Sequence, residues 1–108
     1  MKEIKIQLDY SNGPLWKDSL NVKTGELTTG ISVIDNDKAI QILNDEAEKM
    51  YESLYSFNSE NNGFQFNNDK FHQIKSQLLS IVQTIINRLS AINDGSFTVI
   101  DKATKMLQ

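Results

Sequence analysis

Apolar residues recur in steps of three and four along residues 69–94: Phe71, Ile74, Leu78, Ile81, Ile85, Leu89 and Ile92. That spacing is one face of a helix. Leu79, Val82 and Ile86 widen the face beyond a coiled-coil seam, so this helix is expected to lie between a partner helix and a sheet. A second series, Ile40, Leu43, Ala47, Met50, Leu54 and Phe57, predicts another helix from about Asp37 to Asn58. Asp35-Asn36-Asp37 offers it N-caps, and Asn67 or Asn68 does the same for the longer helix. Gly95 stands where a left-handed C-cap residue belongs.

The first third of the chain has a different period. Ile4, Ile6, Leu8 and Tyr10 alternate with polar residues, which predicts a half-buried strand ended by Ser11-Asn12-Gly13-Pro14. Leu20 and Val22 alternate next, up to a hairpin turn at Lys23-Thr24-Gly25-Glu26 with Gly25 left-handed. A third strand is expected from Leu27 to about Ile34, bent at Gly30. Phe97 and Val99 give a fourth, and Asp101 is placed to cap a last turn ending in Met106-Leu107. The fold expected is a single α+β domain over residues 1–108. It has a three-stranded antiparallel meander, an αα-hairpin packed on one face, and a C-terminal strand returning to the sheet.

The 108 residues suffice to bury roughly 65% of the unfolded surface without staples. The absence of cysteine excludes disulfides and thiolate metal sites. No apolar run approaches the ~18 residues of a membrane span, and Met1-Lys2-Glu3 leads into a strand pattern rather than a signal peptide. The expected protein is soluble and cytoplasmic, without a membrane partner. A net charge of −3 argues against nucleic-acid binding by phosphate neutralisation.

Candidate chemistry is sparse. His72 is the sole histidine and has no carboxylate or second imidazole at ligand spacing, so a metal or general-base role lacks partners. Asp35-Asn36-Asp37 opens like a calcium loop, but no Gly or distal Glu follows at the needed spacing. The five glycines are isolated turn residues, not a phosphate cradle. No cofactor and no catalytic activity are expected.

Charge is the uneven feature. Residues 35–60 hold seven of the fourteen acids against two lysines, Lys38 and Lys49. On the predicted first helix Asp45, Glu48 and Glu52 share one stripe opposite the core positions. That stripe is either a solvated face or a patch for a basic protein partner. Trp16, beside the first turn, either covers an end of the core or anchors a partner. Phe64 and Phe66, in the link between the helices, either tuck under it or join the same interface.

The runs Leu8-Asp9-Tyr10-Ser11-Asn12-Gly13-Pro14-Leu15-Trp16-Lys17-Asp18, Thr24-Gly25-Glu26-Leu27-Thr28-Thr29-Gly30 and Asn93-Asp94-Gly95-Ser96-Phe97 resemble a small uncharacterised family of low-GC Gram-positive bacteria. In size and charge its proteins are similar to immunity proteins that neutralise secreted toxins. The resemblance implies a stoichiometric binding protein, immunity- or antitoxin-like, whose acidic helix occludes a basic partner such as a toxin domain. Its motifs are turn and strand residues and assign no functional residue. The alternative is a structural or adaptor protein, of phage origin or self-associating, which a concentration-dependent homo-oligomer alone would favour.

Overall fold

The computed structural model describes residues 1–10, 12–58 and 63–108, the side chains of Phe57, Asn58 and Phe64 excepted. In chain order the elements are β1 (Lys2–Ile6), β2 (Ser19–Leu20), β3 (Leu27–Thr28), α1 (Ser32–Asp35), α2 (Lys38–Glu52), β4 (Tyr55–Asn58), β5 (Gly63–Phe66), α3 (Asn68–Ile92), β6 (Phe97–Asp101) and α4 (Thr104–Leu107). The fold is mixed α and β, with four helices and three two-stranded sheets among the described residues.

The long helices carry the body. Asp37 caps α2 by accepting from the Ile40 amide at 3.0 Å, and Asn67 caps α3 by accepting from Lys70 at 3.0 Å. The two run antiparallel. Lys70, in the first turn of α3, reaches the Ser53 carbonyl just past α2, while Arg88, near the other end, pairs with Asp37. On α3, Leu78, Val82, Ile85 and Leu89 are buried, and Ile81, Leu79 and Ile86 only partly so. On α2 the buried line is Ile40, Asn44, Ala47 and Tyr51, rotated from the line through Leu43 and Met50 that the apolar residues alone predict.

The predicted meander does not form. β1 pairs in parallel with β6, placing Lys2 beside Phe97 and Ile6 beside Asp101. On its other side β1 meets residues 14–16, where Gln7 donates to the Pro14 carbonyl at 2.9 Å and Trp16 to the Lys5 carbonyl at 3.1 Å. Ile4, Ile6 and Phe97 enter the same core as Ile85 and Leu89, while Glu3 and Thr98 are exposed on the other face. The predicted second strand is cut to β2 and pairs only with β3, around a turn in which Gly25 has φ 75°. The third strand stops at Thr28. Gly30 turns the chain at φ 79°, and Asp35 accepts from the amides of Thr29 and Gly30, folding the segment back into α1.

Two boundaries also differ from expectation. The first long helix ends at Glu52 rather than Asn58, because Ser53 closes it with its hydroxyl on the Met50 carbonyl and the chain enters β4. The helices are therefore joined through the antiparallel β4–β5 pair, in which Tyr55 faces Phe66 and Phe57 faces Phe64. Gly95 is left-handed at φ 91°, but it lies two residues beyond an extended C-cap at Asn93, whose side chain accepts from the Gly95 amide. Asp101 accepts from Ala103 and Thr104 at 2.9 and 3.0 Å and so starts α4.

Candidate functional site

The acidic stripe is held on α2 by the buried line on its opposite side. Asp45 is exposed, and Glu48 and Glu52 are partly buried. The structure brings the three together. Partial burial, followed by the charges of Glu52 and Asp45, raises the Glu48 carboxyl above its ordinary value, with Lys17 and Lys49 opposing them. Two acids and two lysines thus act on Glu48, with burial the leading cause of its shift.

The connection between β1 and β2 shapes this face. Asn44 is buried one residue before Asp45. Its Oδ1 accepts from the Leu15 amide at 2.8 Å, and its Nδ2 donates to the Leu15 carbonyl at 3.3 Å. This side-chain bridge locks residues 13–15 against α2, so a Cβ on Gly13 would come within 2.5 Å of the Asn44 amide. Leu15 is then in the core, and Lys17, Asp45 and Glu48 together line a depression of about 170 Å³. Leu27 of β3 lines the same depression.

Leu27 belongs to a group that the sequence pattern assigned to strand interiors. Leu20, Val22 and Leu27 are 62%, 87% and 57% exposed, and Leu20 and Leu27 are cross-strand partners. No signal in alternation alone separates a core-facing strand from a hairpin that turns its aliphatic side chains to solvent.

Trp16 stands apart from the acidic stripe. It is partly buried against Lys5, whose Nζ lies 4.7 Å from the ring centroid, and its Nε1 donates to the Gln7 carbonyl at 2.9 Å. Together with Glu3, Asp18 and Ile100 it lines a cavity of about 130 Å³ beside the β1–β6 pair. Phe66 is partly buried in a ring cluster, 5.1 Å from Tyr55, 6.2 Å from Tyr51 and 5.7 Å from Phe71. Tyr10 extends the cluster at 5.1 Å from Tyr55. Burial, then the hydroxyl of Tyr55 at 3.4 Å, pushes the Tyr51 phenol well above its ordinary value. The side chain of Phe64 lies outside the described residues. The five of the six sequence-predicted residues whose side chains are described thus do not converge: the acids lie along α2, Trp16 lines the cavity beside the β1–β6 pair, and Phe66 packs among rings.

Among the described residues no group of three or more His, Cys, Asp or Glu side chains is placed to hold a metal, and no helix is long and apolar enough to cross a membrane. His72 is exposed, with Phe71 its ring neighbour at 6.1 Å. Asp35 and Asp37 spend their carboxylates on backbone amides, Thr29 and Arg88, not on a shared ion site. Comparison with protein-family models, curated proteins and solved structures finds no match.

Proposed function

We propose that this chain is a stoichiometric protein-binding inhibitor, immunity- or antitoxin-like and without catalytic activity, in which the acidic face of α2 occludes a basic site on its partner. The observation that carries this reading is geometric: Asp45, Glu48 and Glu52 share the side of α2 opposite its buried line, in a stretch, residues 35–60, that holds seven acids against two lysines. Concentrated negative potential on a rigid helix steers a basic partner and disfavours acidic ones. The proposed inhibition is by coverage, so no group on the chain need react.

The test uses the protein captured from source cells by the tagged chain and identified by mass spectrometry. Asp45→Lys, Glu48→Lys and Glu52→Lys together are expected to slow its association by roughly tenfold or more at low salt. The wild-type on-rate should fall as added salt shortens the Debye length below ~10 Å. An on-rate that ignores both charge reversal and salt overturns the reading.

A further inference from the structure

The β2–β3 hairpin is organised without using its aliphatic side chains. Lys2 Nζ holds it from β1, donating to Asp18 at 2.8 Å, to Ser19 at 2.9 Å and to the Thr29 carbonyl. Thr28 Oγ1 closes the strand pair on the Ser19 carbonyl at 3.2 Å. Leu20 and Leu27, opposite each other in register, have their side chains on one face of the pair, and neither joins the hydrophobic core. The result is a preorganised apolar face with no partner within the described chain. Its Leu27 borders the depression that Asp45 and Glu48 line from α2, where Lys17 offsets one of the two charges, so the apolar face adjoins surface that is acidic on balance.

We propose that this face docks an amphipathic basic segment of a partner protein, with an aliphatic side chain against Leu20 and Leu27 and a lysine or arginine beside Asp45 and Glu48. The proposal rests on the acidic-helix reading above and adds the apolar half of the recognition. Charge complementarity selects this occupant. A second copy of the chain is the alternative cover, but a two-fold contact would set both copies' Asp45 and Glu48, four acids against two Lys17 side chains, around one patch. An acidic segment meets the same penalty.

The probe is a short synthetic peptide of alternating lysine and valine, titrated into isotope-labelled protein and followed residue by residue by NMR at low salt. Shifts are expected at residues 19–28 and 44–48. A glutamate–valine peptide and a lysine–serine peptide should each bind roughly tenfold more weakly or worse. Leu20→Ser with Leu27→Ser replaces exposed side chains, so the fold should persist, and binding should weaken by about tenfold. Asp45→Asn with Glu48→Gln should weaken it several-fold and remove most of its salt dependence. If the charge changes matter and the leucine changes do not, the acidic reading stands and this proposal falls. If the leucines matter and the charges do not, the acidic reading falls, and with it the basic occupant. Shifts confined to the Trp16 face, no shift at all, or a dimer broken by the leucine changes would each overturn the proposal.

Discussion

Arg88 Nε donates to Asp37 Oδ2 at 2.8 Å while Asp37 Oδ1 accepts from the Ile40 amide, so one carboxylate caps α2 and fastens it to the far end of α3. The Asp37 side chain is only 6% exposed and Arg88 is half exposed. Losing the acid removes both bonds, whereas losing the arginine leaves the cap. Asp37→Ala is expected to cost about 1–2 kcal/mol, the upper range for an N-cap, and Arg88→Ala under ~1 kcal/mol. Urea unfolding of the two variants checks the order.

Acid titration should separate two carboxyls on the same helix. Burial opposes ionisation of Asp37, but the Ile40 amide, Arg88 and the Ala39 amide outweigh it and hold the group below its ordinary 3.8. Its contribution is therefore present above that value and lost as pH falls through the depressed one. Glu48 has the opposite sign. Its raised value means its favourable contribution is present below the ordinary 4.5 and lost as pH rises through the raised one. Glu48→Gln should then raise the unfolding free energy measured in urea at neutral pH by a few tenths of a kcal/mol, and lose that advantage in acid. Asp37→Asn should be destabilised at neutral pH and converge on wild type in acid.

Ile81 and Ile85 sit on the same predicted face of α3, yet Ile85 is fully buried and Ile81 only partly. Ile85→Ala should cost about 2–5 kcal/mol through lost burial and the cavity left behind. Ile81→Ala should cost clearly less, roughly 1–2 kcal/mol, in proportion to the smaller area it removes from water. Equal losses in chemical denaturation would mean that the helix is rotated from this packing.

Gly13 and Asn44 should behave as a coupled pair. Gly13→Ala drives a methyl into the Asn44 amide, costing about 1–3 kcal/mol as overpacking. Asn44→Ala strands the buried Leu15 amide, at a similar cost. With both changes the new methyl has room, so the double variant should lose less than the sum of the two. Additive losses in a double-mutant cycle would mean the sites do not touch.

His72→Ala should move stability by less than ~0.5 kcal/mol, since the side chain is exposed. Partner association should stay within a few-fold. An intact circular dichroism spectrum with association abolished would place the imidazole in the interface.

Local chemistry was legible where it acts over a few residues. The caps at Asp37 and Asn67, the left-handed turn at Gly25 and the start of α4 at Asp101 follow from side chains meeting nearby amides. The course of the sheet was not legible, because β1 finds its partner in Phe97–Asp101 and nothing in either strand specifies the other. The meander failed at Gly30, where Asp35 offers the Thr29 and Gly30 amides a better acceptor than a strand would. On α2, Asn44 and Tyr51 are polar by type yet buried through bonds and ring contacts, so an apolar periodicity steps past them. The acidic stripe was readable because charge is a property of residue type. The exposed Leu20–Leu27 pair was not, because aliphatic alternation reads as core.

The parallel pairing of β1 with β6 also sets the order in which this domain can assemble. The β4–β5 pair and the antiparallel helices bring together stretches close in sequence, and such contacts form early. β1 is made first and waits for β6, with Ile4 and Ile6 lacking the neighbours that later bury them. Closure of that sheet is then expected to be the slow, long-range step, and a nascent chain halted before Phe97 lacks both the partner of β1 and the phenylalanine that shares the core of Ile4 and Ile6.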